Sequence, residues 1–189
     1  MMVGQINTLL FDIDGVLVNS EILHLETWRQ TFERYGMRVP DDGVEYLIGR
    51  RGEDVAQWLD ERINLAQSPV PFEQILEEKR RLFLDIVDSR LEPVPGIDAF
   101  LREMKNRYRL GVVTSARLKA AGKVLARFGW RGVFEAFLGA EHVTRHNPDP
   151  QPYLQAMKRL NVPPEACLVF EDSTVGVEAA RASGASVCA

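Results

Sequence analysis

The chain has 189 residues, of which 46% are hydrophobic and 26% are charged, and this composition is typical of a folded domain. Its 23 basic and 27 acidic residues give a net charge of −4, so a large nucleic-acid-binding surface is not expected. No apolar run reaches the roughly 20 residues of a membrane span, and the chain start lacks the basic segment of a secretory signal. The two cysteines, Cys167 and Cys188, form no CxxC pair and no disulfide framework. We therefore expect a cytoplasmic protein with no membrane and no nucleic-acid partner.

The first predicted element is a strand over residues 6–13, where a short apolar run fits burial on both faces of a sheet. The pattern then changes. Apolar residues recur at three- and four-residue spacing over 20–36, and this spacing predicts an amphipathic helix. Further helices are predicted over 53–62 and 72–87, with no strand pattern between them. We therefore expect an all-helical insertion, residues 19–92, directly after the first strand.

Beyond the insertion, helix and strand patterns alternate. The predicted elements are, in chain order, a helix over 99–107, a strand over 110–113, a helix over 118–128 and a strand over 168–170. Such alternation is typical of an α/β protein with a parallel sheet. The predicted fold is a Rossmann-like, doubly wound parallel sheet formed by residues 1–18 and 93–189 and interrupted by the helical insertion.

The three predicted strands, over 6–13, 110–113 and 168–170, each end near side chains that can take part in catalysis or bind ligands. In chain order they are Asp12 and Asp14, then Thr114 and Ser115, then Glu171 and Asp172. Taken singly, each has an ordinary explanation as a turn or helix-capping residue. Together they should meet, because ligands of open parallel sheets bind at the carboxyl ends of the strands. Carboxylates about 4 Å apart repel by about 4 kcal/mol per pair at an effective dielectric near 20, so the cluster needs a cation. Oxygen ligands of this kind suit Mg²⁺ together with a substrate phosphate.

Four segments resemble the motifs of one family, the haloacid dehalogenase (HAD) superfamily of phosphatases. Residues 12–20, DIDGVLVNS, look like its first motif. Residues 21–24, EILH, resemble the continuation found in the branch of β-phosphoglucomutase and small phosphoglycolate and sugar-phosphate phosphatases. Residues 114–116 are similar to the second motif and residues 171–184 to the fourth. The resemblance covers nearly the whole chain, and it implies a Mg²⁺-dependent phosphomonoesterase whose helical insertion is a cap over the phosphate site.

The resemblance also implies a role for each matching residue. Asp12 would be the nucleophile that forms an aspartyl-phosphate, and Asp14 would be the general acid and base. The implied ligands of Mg²⁺ are Asp12, Asp14, Asp172 and Glu171. The implied phosphate- and substrate-binding residues are Thr114, Ser115, Ala116, Asn147, Arg50, Arg51 and His24. Among these, His24 would support Asp14 or the hinge of the cap.

The third motif departs from the family pattern. Where the family reads GKPxPxxY, residues 146–153 read HNPDPQPY, so that Asn147 stands in place of the lysine. Loss of one preorganised donor to a transition state costs about 10²- to 10³-fold in rate. Three explanations stay open: Arg145 supplies the missing charge, the protein turns over slowly or only binds phosphate, or the change was introduced to trap a complex.

Hydrolysis is the reaction that we expect, with two alternatives. In a mutase of this branch an arginine would directly precede the Glu53-Asp54 pair, but Gly52 stands there and Arg50 and Arg51 lie further back. The alternatives are a β-phosphoglucomutase-type mutase and a catalytically weak phosphate-binding or regulatory protein. The expected partner is a small phosphate ester, and the expected assembly is a monomer or a weak dimer. The last residues, 186–189, fall inside a predicted strand where relatives continue, so we expect a truncated chain or a short member.

Overall fold

The computed structural model describes residues 6–37, 52–63 and 68–189. The chain forms two compact units. One consists of Met1–Asn19 with Glu92–Ala189, and the other consists of Ser20–Leu91.

The first unit is built on a five-stranded parallel sheet. Its strands are β1 (Thr8–Phe11), β2 (Arg109–Val113), β3 (Ala136–Leu138), β4 (Cys167–Phe170) and β5 (Ser186–Cys188), in the spatial order β3-β2-β1-β4-β5. The first strand is central, and its last residue, Phe11, pairs with Val112 on one side and with Phe170 on the other. The carboxyl ends of the three predicted strands therefore lie side by side. The parallel α/β sheet expected from the sequence is confirmed.

Helices connect the strands and form the second unit. Within the described residues they are α1 (Glu21–Arg34), α2 (Gly52–Ile63), α3 (Phe72–Arg90), α4 (Ile97–Met104), α5 (Leu118–Arg127), α6 (Gln151–Leu160) and α7 (Thr174–Ala182). Every helix and strand predicted above is present, with ends that differ by up to three residues. The structure adds the helices α6 and α7 and the three-residue strand β3. None of the described helices is long and apolar enough to cross a bilayer.

Burial of β1 on both faces explains its continuous apolar run. All four of its residues are buried, and successive side chains of a strand point to opposite faces. Leu10 belongs to the core that the sheet shares with α6 and α7. Phe11 faces the other way, where its ring stacks on that of Phe170 at 4.8 Å and meets Phe100 edge-on at 6.2 Å. The central strand is thus fixed from both sides, and so is the position at which it ends.

The helical unit has a core of its own. Trp28, Phe32 and Trp58 are buried there, and the rings of Trp28 and Phe32 stack with their centroids 5.4 Å apart. These aromatic residues therefore serve the packing of α1, α2 and α3 against one another.

The two cysteines should differ in reactivity. Burial raises the pKa of the Cys167 thiol to about 11, whereas Cys188 is exposed on β5. At pH 8 only about one Cys167 side chain in a thousand is a thiolate, the form that reacts. We expect one thiol per native chain to react with an aromatic disulfide reagent, and two after denaturation in guanidinium chloride. Cys188→Ser should abolish the native reaction and Cys167→Ser should preserve it. Rapid reaction of both thiols in the native protein would contradict the burial of β4.

Candidate active site

The turn after β1 fixes the first candidate carboxylate. The backbone N–H of Asp12 donates to the carbonyl of Phe170 at 3.1 Å, which ties the end of β1 to β4. The chain then turns tightly, because Leu17 donates to the carbonyl of Ile13 at 2.9 Å and Gly15 donates to that of Val18 at 2.9 Å. Asp12 and Asp14 are both half-buried in this turn.

Gly15 brings the carboxylate of Asp172 against the turn. Its φ of +76° is a left-handed conformation that favours glycine. A Cβ atom at this position would lie 1.8 Å from Oδ2 of Asp172. The glycine of the DxDG pattern is therefore required twice, for the turn and for the approach of a residue from the end of β4.

The structure gathers three of the predicted carboxylates. Asp12, Glu171 and Asp172 each offer an oxygen, and these oxygens all lie within 4.8 Å of one another. Hard divalent cations bind oxygen at about 2.0–2.6 Å, so ligands on opposite sides of one ion lie about 4–5 Å apart. The spacing and the all-oxygen chemistry therefore fit a divalent cation. The sequence-based prediction of an acidic cluster able to hold a metal is confirmed.

Charge repulsion is visible in the electrostatics of this cluster. Burial raises the pKa of Asp12 well above its ordinary value, and the negative charges of Glu171 and Asp14 raise it further. Burial also raises the pKa of Glu171, an effect opposed by hydrogen bonds from Ser173 and Tyr153. Because both shifts disfavour the ionised carboxylates, the cluster gains stability from a bound positive charge.

Glu171 is held by a set of neutral donors. Its Oε1 accepts a hydrogen bond from the hydroxyl of Tyr153 at 3.0 Å, and its Oε2 accepts from the backbone N–H and the hydroxyl of Ser173 at 2.9 and 3.0 Å. The carboxylate lies over Gly176, where a Cβ atom would be 1.7 Å from Oε1. Sequence reasoning gave Tyr153, Ser173 and Gly176 no role beyond membership of a motif.

Burial keeps the Tyr153 hydroxyl a donor. It raises the pKa of Tyr153 well above its ordinary value, and the charge of Glu171 raises it further. The signal in the sequence is faint: Tyr153 belongs to the buried stripe of α6 with Ala156, Met157 and Leu160, and it is the member that carries a polar group.

A second group of predicted residues lines a small cleft at the ends of β2 and β3. Thr114, Ser115 and Asn147 are among its walls, together with His146 and Gly139. Three of the predicted phosphate-binding residues are thus brought together, and Ala116 is not among the residues that line the cleft.

Two local hydrogen bonds fix the segment between β2 and α5. Ala116 donates its backbone N–H to the hydroxyl of Thr114 at 3.1 Å, and α5 begins only at Leu118. The N–H of Leu118 in turn donates to the carboxylate of Glu141 at 3.0 Å. Ser115 and Ala116 therefore precede α5, whose start agrees with the helix predicted over 118–128, and the N–H at that start already has an acidic partner.

Arg145, the residue suggested to replace the missing lysine, is engaged elsewhere. Its Nε lies 3.3 Å from Oδ2 of Asp149, and 70% of its side chain is exposed. Surface pairs of this kind contribute little to stability, about 0–1 kcal/mol. The structure therefore shows Arg145 at the surface, in a weak pair with Asp149.

The remaining predicted residues belong to the helical unit. His24 lies in α1, where its ring stacks on Phe83 at 4.1 Å and its Nδ1 is 2.8 Å from Nζ of Lys79. Arg50 and Arg51 lie outside the described residues.

A parallel α/β sheet with a carboxylate cluster at the carboxyl ends of its central strands defines an α/β enzyme with an acidic active site. The family model of haloacid dehalogenase-like hydrolases matches residues 9–189, and the chain belongs to that family. The enzyme class expected from the sequence, a phosphatase of the HAD type, is confirmed.

The similar proteins include both kinds of enzyme in the predicted branch, sugar-phosphate phosphatases and a β-phosphoglucomutase. The chain is 31% identical to fructose-1-phosphate phosphatase YqaB of Escherichia coli over 93% of this chain and 92% of that protein. It is 33% identical to the phosphorylated carbohydrates phosphatase of Thermotoga maritima over 93% of this chain and 80% of that one. Among solved structures, a β-phosphoglucomutase of Clostridium difficile matches with a TM-score of 0.83 and 25% identity, over 97% of this chain and 83% of that one.

Substitution of Gly176 tests the packing of the cluster. In Gly176→Ala the new Cβ would overlap Glu171, so the glutamate has to move and the protein should lose about 1–3 kcal/mol of unfolding free energy. The matched control is Gly122→Ala in α5, where a Cβ meets nothing within 4 Å and alanine should stabilise by about 0.5–1 kcal/mol. Urea unfolding measures both. Equal effects of the two substitutions would show that Glu171 does not lie over Gly176.

Proposed function

We propose that this protein hydrolyses a small phosphorylated sugar or a related phosphate ester through an aspartyl-phosphate on Asp12, with Mg²⁺ as its cofactor. One observation carries the proposal: the oxygens of Asp12, Glu171 and Asp172 converge within 4.8 Å at the ends of adjacent strands. A cation held there can screen an anionic nucleophile from an anionic substrate. In this proposal Asp12, Asp172 and the backbone carbonyl of Asp14 would hold Mg²⁺, with Glu171 beside them.

Asp12 and Asp14 divide the chemistry between them. A carboxylate oxygen of Asp12 attacks phosphorus, the bond from phosphorus to the ester oxygen breaks, and Asp14 gives a proton to the departing alcohol. Asp14 then takes a proton from a water molecule that attacks the aspartyl-phosphate, so that inorganic phosphate leaves and Asp12 is restored. Bound Mg²⁺ supplies charge neutralisation between nucleophile and phosphoryl oxygens. The turn that holds both residues keeps them at a fixed distance through these two steps.

The proposed contacts of the phosphoryl group are Thr114, Ser115 and Asn147. These residues line one cleft at the carboxyl ends of β2 and β3, on the same edge of the sheet as the carboxylate cluster. The Thr114 hydroxyl already accepts from Ala116, which leaves its proton free to donate to a phosphoryl oxygen. Asn147 can donate through its amide, but it brings no positive charge. We therefore expect turnover below that of a site with lysine at this position.

The substrate class rests on the relatives. Two phosphatases that share 31% and 33% identity with this chain are named for fructose 1-phosphate and for phosphorylated carbohydrates. We assign residues 19–92 the role of a cap that selects among such substrates. Within it, His24 and Lys79 form a paired polar site, and Arg50 and Arg51 are further candidates for substrate contacts. We also propose that the protein is a monomer or a weak dimer in the cytoplasm.

Replacement of the nucleophile tests the proposed route. Asp12→Asn should lower Mg²⁺-dependent release of phosphate from a panel of sugar phosphates by at least about 10³-fold. Asp85→Asn, at an exposed aspartate of α3, should leave the rate unchanged. Phosphate release is measured with and without Mg²⁺. Wild-type rates equal to those of Asp12→Asn on every ester would instead support the phosphate-binding alternative.

Restoring a charge at position 147 tests the third motif. Asn147→Lys should raise the Mg²⁺-dependent rate, by up to about 10²- to 10³-fold, because a preorganised cation then faces the transferred phosphoryl group. Asn147→Met is the control, since the methionine side chain is similar in length to that of lysine and carries no charge. No gain from lysine over methionine would show that the asparagine is not a defect.

The mutase alternative has a direct assay. With β-glucose 1-phosphate and a hexose bisphosphate primer, a phosphatase releases inorganic phosphate, whereas a mutase forms glucose 6-phosphate. We expect phosphate without isomerisation, since Gly52 stands where the mutase pattern has arginine.

A further inference from the structure

Tyr153 carries a polar group into an otherwise apolar part of the core. Its side chain is 1% exposed and belongs to the core formed by the sheet, α6 and α7. A buried hydroxyl is costly unless it is hydrogen-bonded, and a phenylalanine would fill the same space. The hydroxyl of Tyr153 has one described partner, Oε1 of Glu171 at 3.0 Å. The hydrogen bond to Glu171 therefore explains why a tyrosine, and not a phenylalanine, lies at this buried position.

The two oxygens of Glu171 are not equivalent. Each carboxylate oxygen has about two lone-pair directions. Oε2 accepts two hydrogen bonds, from the N–H and the hydroxyl of Ser173, so both of its directions are used. Oε1 accepts the hydrogen bond from Tyr153, and the backbone of Asp172 also donates to this carboxylate.

The surroundings limit where Glu171 can turn. Its backbone N–H donates to the carbonyl of Cys188 at 3.1 Å, and its carboxylate lies directly over Gly176. Ser173 in turn is fixed as the N-cap of α7, where its hydroxyl accepts from Gly176 N–H at 3.1 Å.

We propose that Tyr153 is a positioning residue that holds Oε1 of Glu171 toward the cation that Glu171 would share with Asp12 and Asp172. This inference rests on the proposed function, because it concerns the same metal site. Oε1 is then the oxygen through which Glu171 serves the cation, and Oε2 is structural. Tyr153 touches neither substrate nor metal and acts only through Glu171.

The test is direct binding of Mn²⁺, followed by the electron paramagnetic resonance signal of the free ion. Tyr153→Phe keeps the ring and removes the hydroxyl, and it should weaken Mn²⁺ binding about 10-fold, as loss of a partner behind a metal ligand does. Tyr108→Phe, in the same unit, is the matched control and should bind Mn²⁺ as the wild type does. Phosphate release at saturating Mg²⁺ should fall much less than the metal affinity, since excess cation restores the filled site.

A double-mutant cycle separates positioning from packing. In the Glu171→Gln background, Tyr153→Phe should cause no further loss of Mn²⁺ affinity, because its effect passes through the carboxylate. Ser173→Ala removes one of the two donors to Oε2 and keeps the backbone N–H, so it should weaken Mn²⁺ binding less than Tyr153→Phe does. This second variant also tests the assignment of the two oxygens if Tyr153→Phe does not fold.

Three results would overturn the inference: unchanged Mn²⁺ affinity in Tyr153→Phe, an additive loss in the double variant, or a larger loss in Ser173→Ala than in Tyr153→Phe. Failure of the proposed function looks different. Absence of hydrolysis on every phosphate ester would refute that function, while the Mn²⁺ titrations would still decide the role of Tyr153.

Discussion

Repulsion among the carboxylates of Asp12, Glu171 and Asp172 is the constraint on which the rest of this site depends. Like charges about 4 Å apart repel by about 4 kcal/mol per pair at an effective dielectric near 20. Parallel strands bring their carboxyl ends to one edge, so the fold itself forces these groups together. The structure accommodates them by removing side chains at Gly15 and Gly176, where a Cβ would fall within 2 Å of a carboxylate oxygen. The space that these glycines leave is as necessary to the cluster as the carboxylates.

The described partners of Glu171 are neutral. Tyr153 and Ser173 donate hydrogen bonds to its carboxylate without cancelling the charge, and Asn147 in the neighbouring cleft adds no charge either. The electrostatic shifts follow, because burial and repulsion raise the pKa of both Asp12 and Glu171. A bound divalent cation then has two tasks in the proposed reaction: it stabilises the cluster before substrate arrives, and it screens the phosphoryl group afterwards.

The fold was predictable because its main signals are local. Continuous apolar runs marked β1, β2 and β4, since strands buried on both faces need no alternation. The short strand β3 was missed, because three residues carry too little pattern. The carboxylate cluster was predictable from the polar residues that follow the strands. The start of α5 at Leu118 was predictable as well, whereas the hydrogen bond from Ala116 to Thr114 that precedes it was not. The bond from Tyr153 to Glu171 was also beyond sequence reasoning, because it joins two elements whose spacing only the packed core determines.

One segment connects the two halves of the candidate site. Asn147 lines the cleft with Thr114 on the β2 side of the central strand, and Tyr153 in α6 holds Glu171 on the β4 side. The strand order β3-β2-β1-β4-β5 places Asp12 between these two sides. In the proposed function, Asn147 before α6 would contact the phosphoryl group, and Tyr153 in the first turn of α6 would act on the cation through Glu171. Because α6 packs into the buried core through Ala156, Met157 and Leu160, this one helix supports the residues on both sides of Asp12. In the proposed reaction, this shared support would align Asp12 with both the phosphoryl group and the cation.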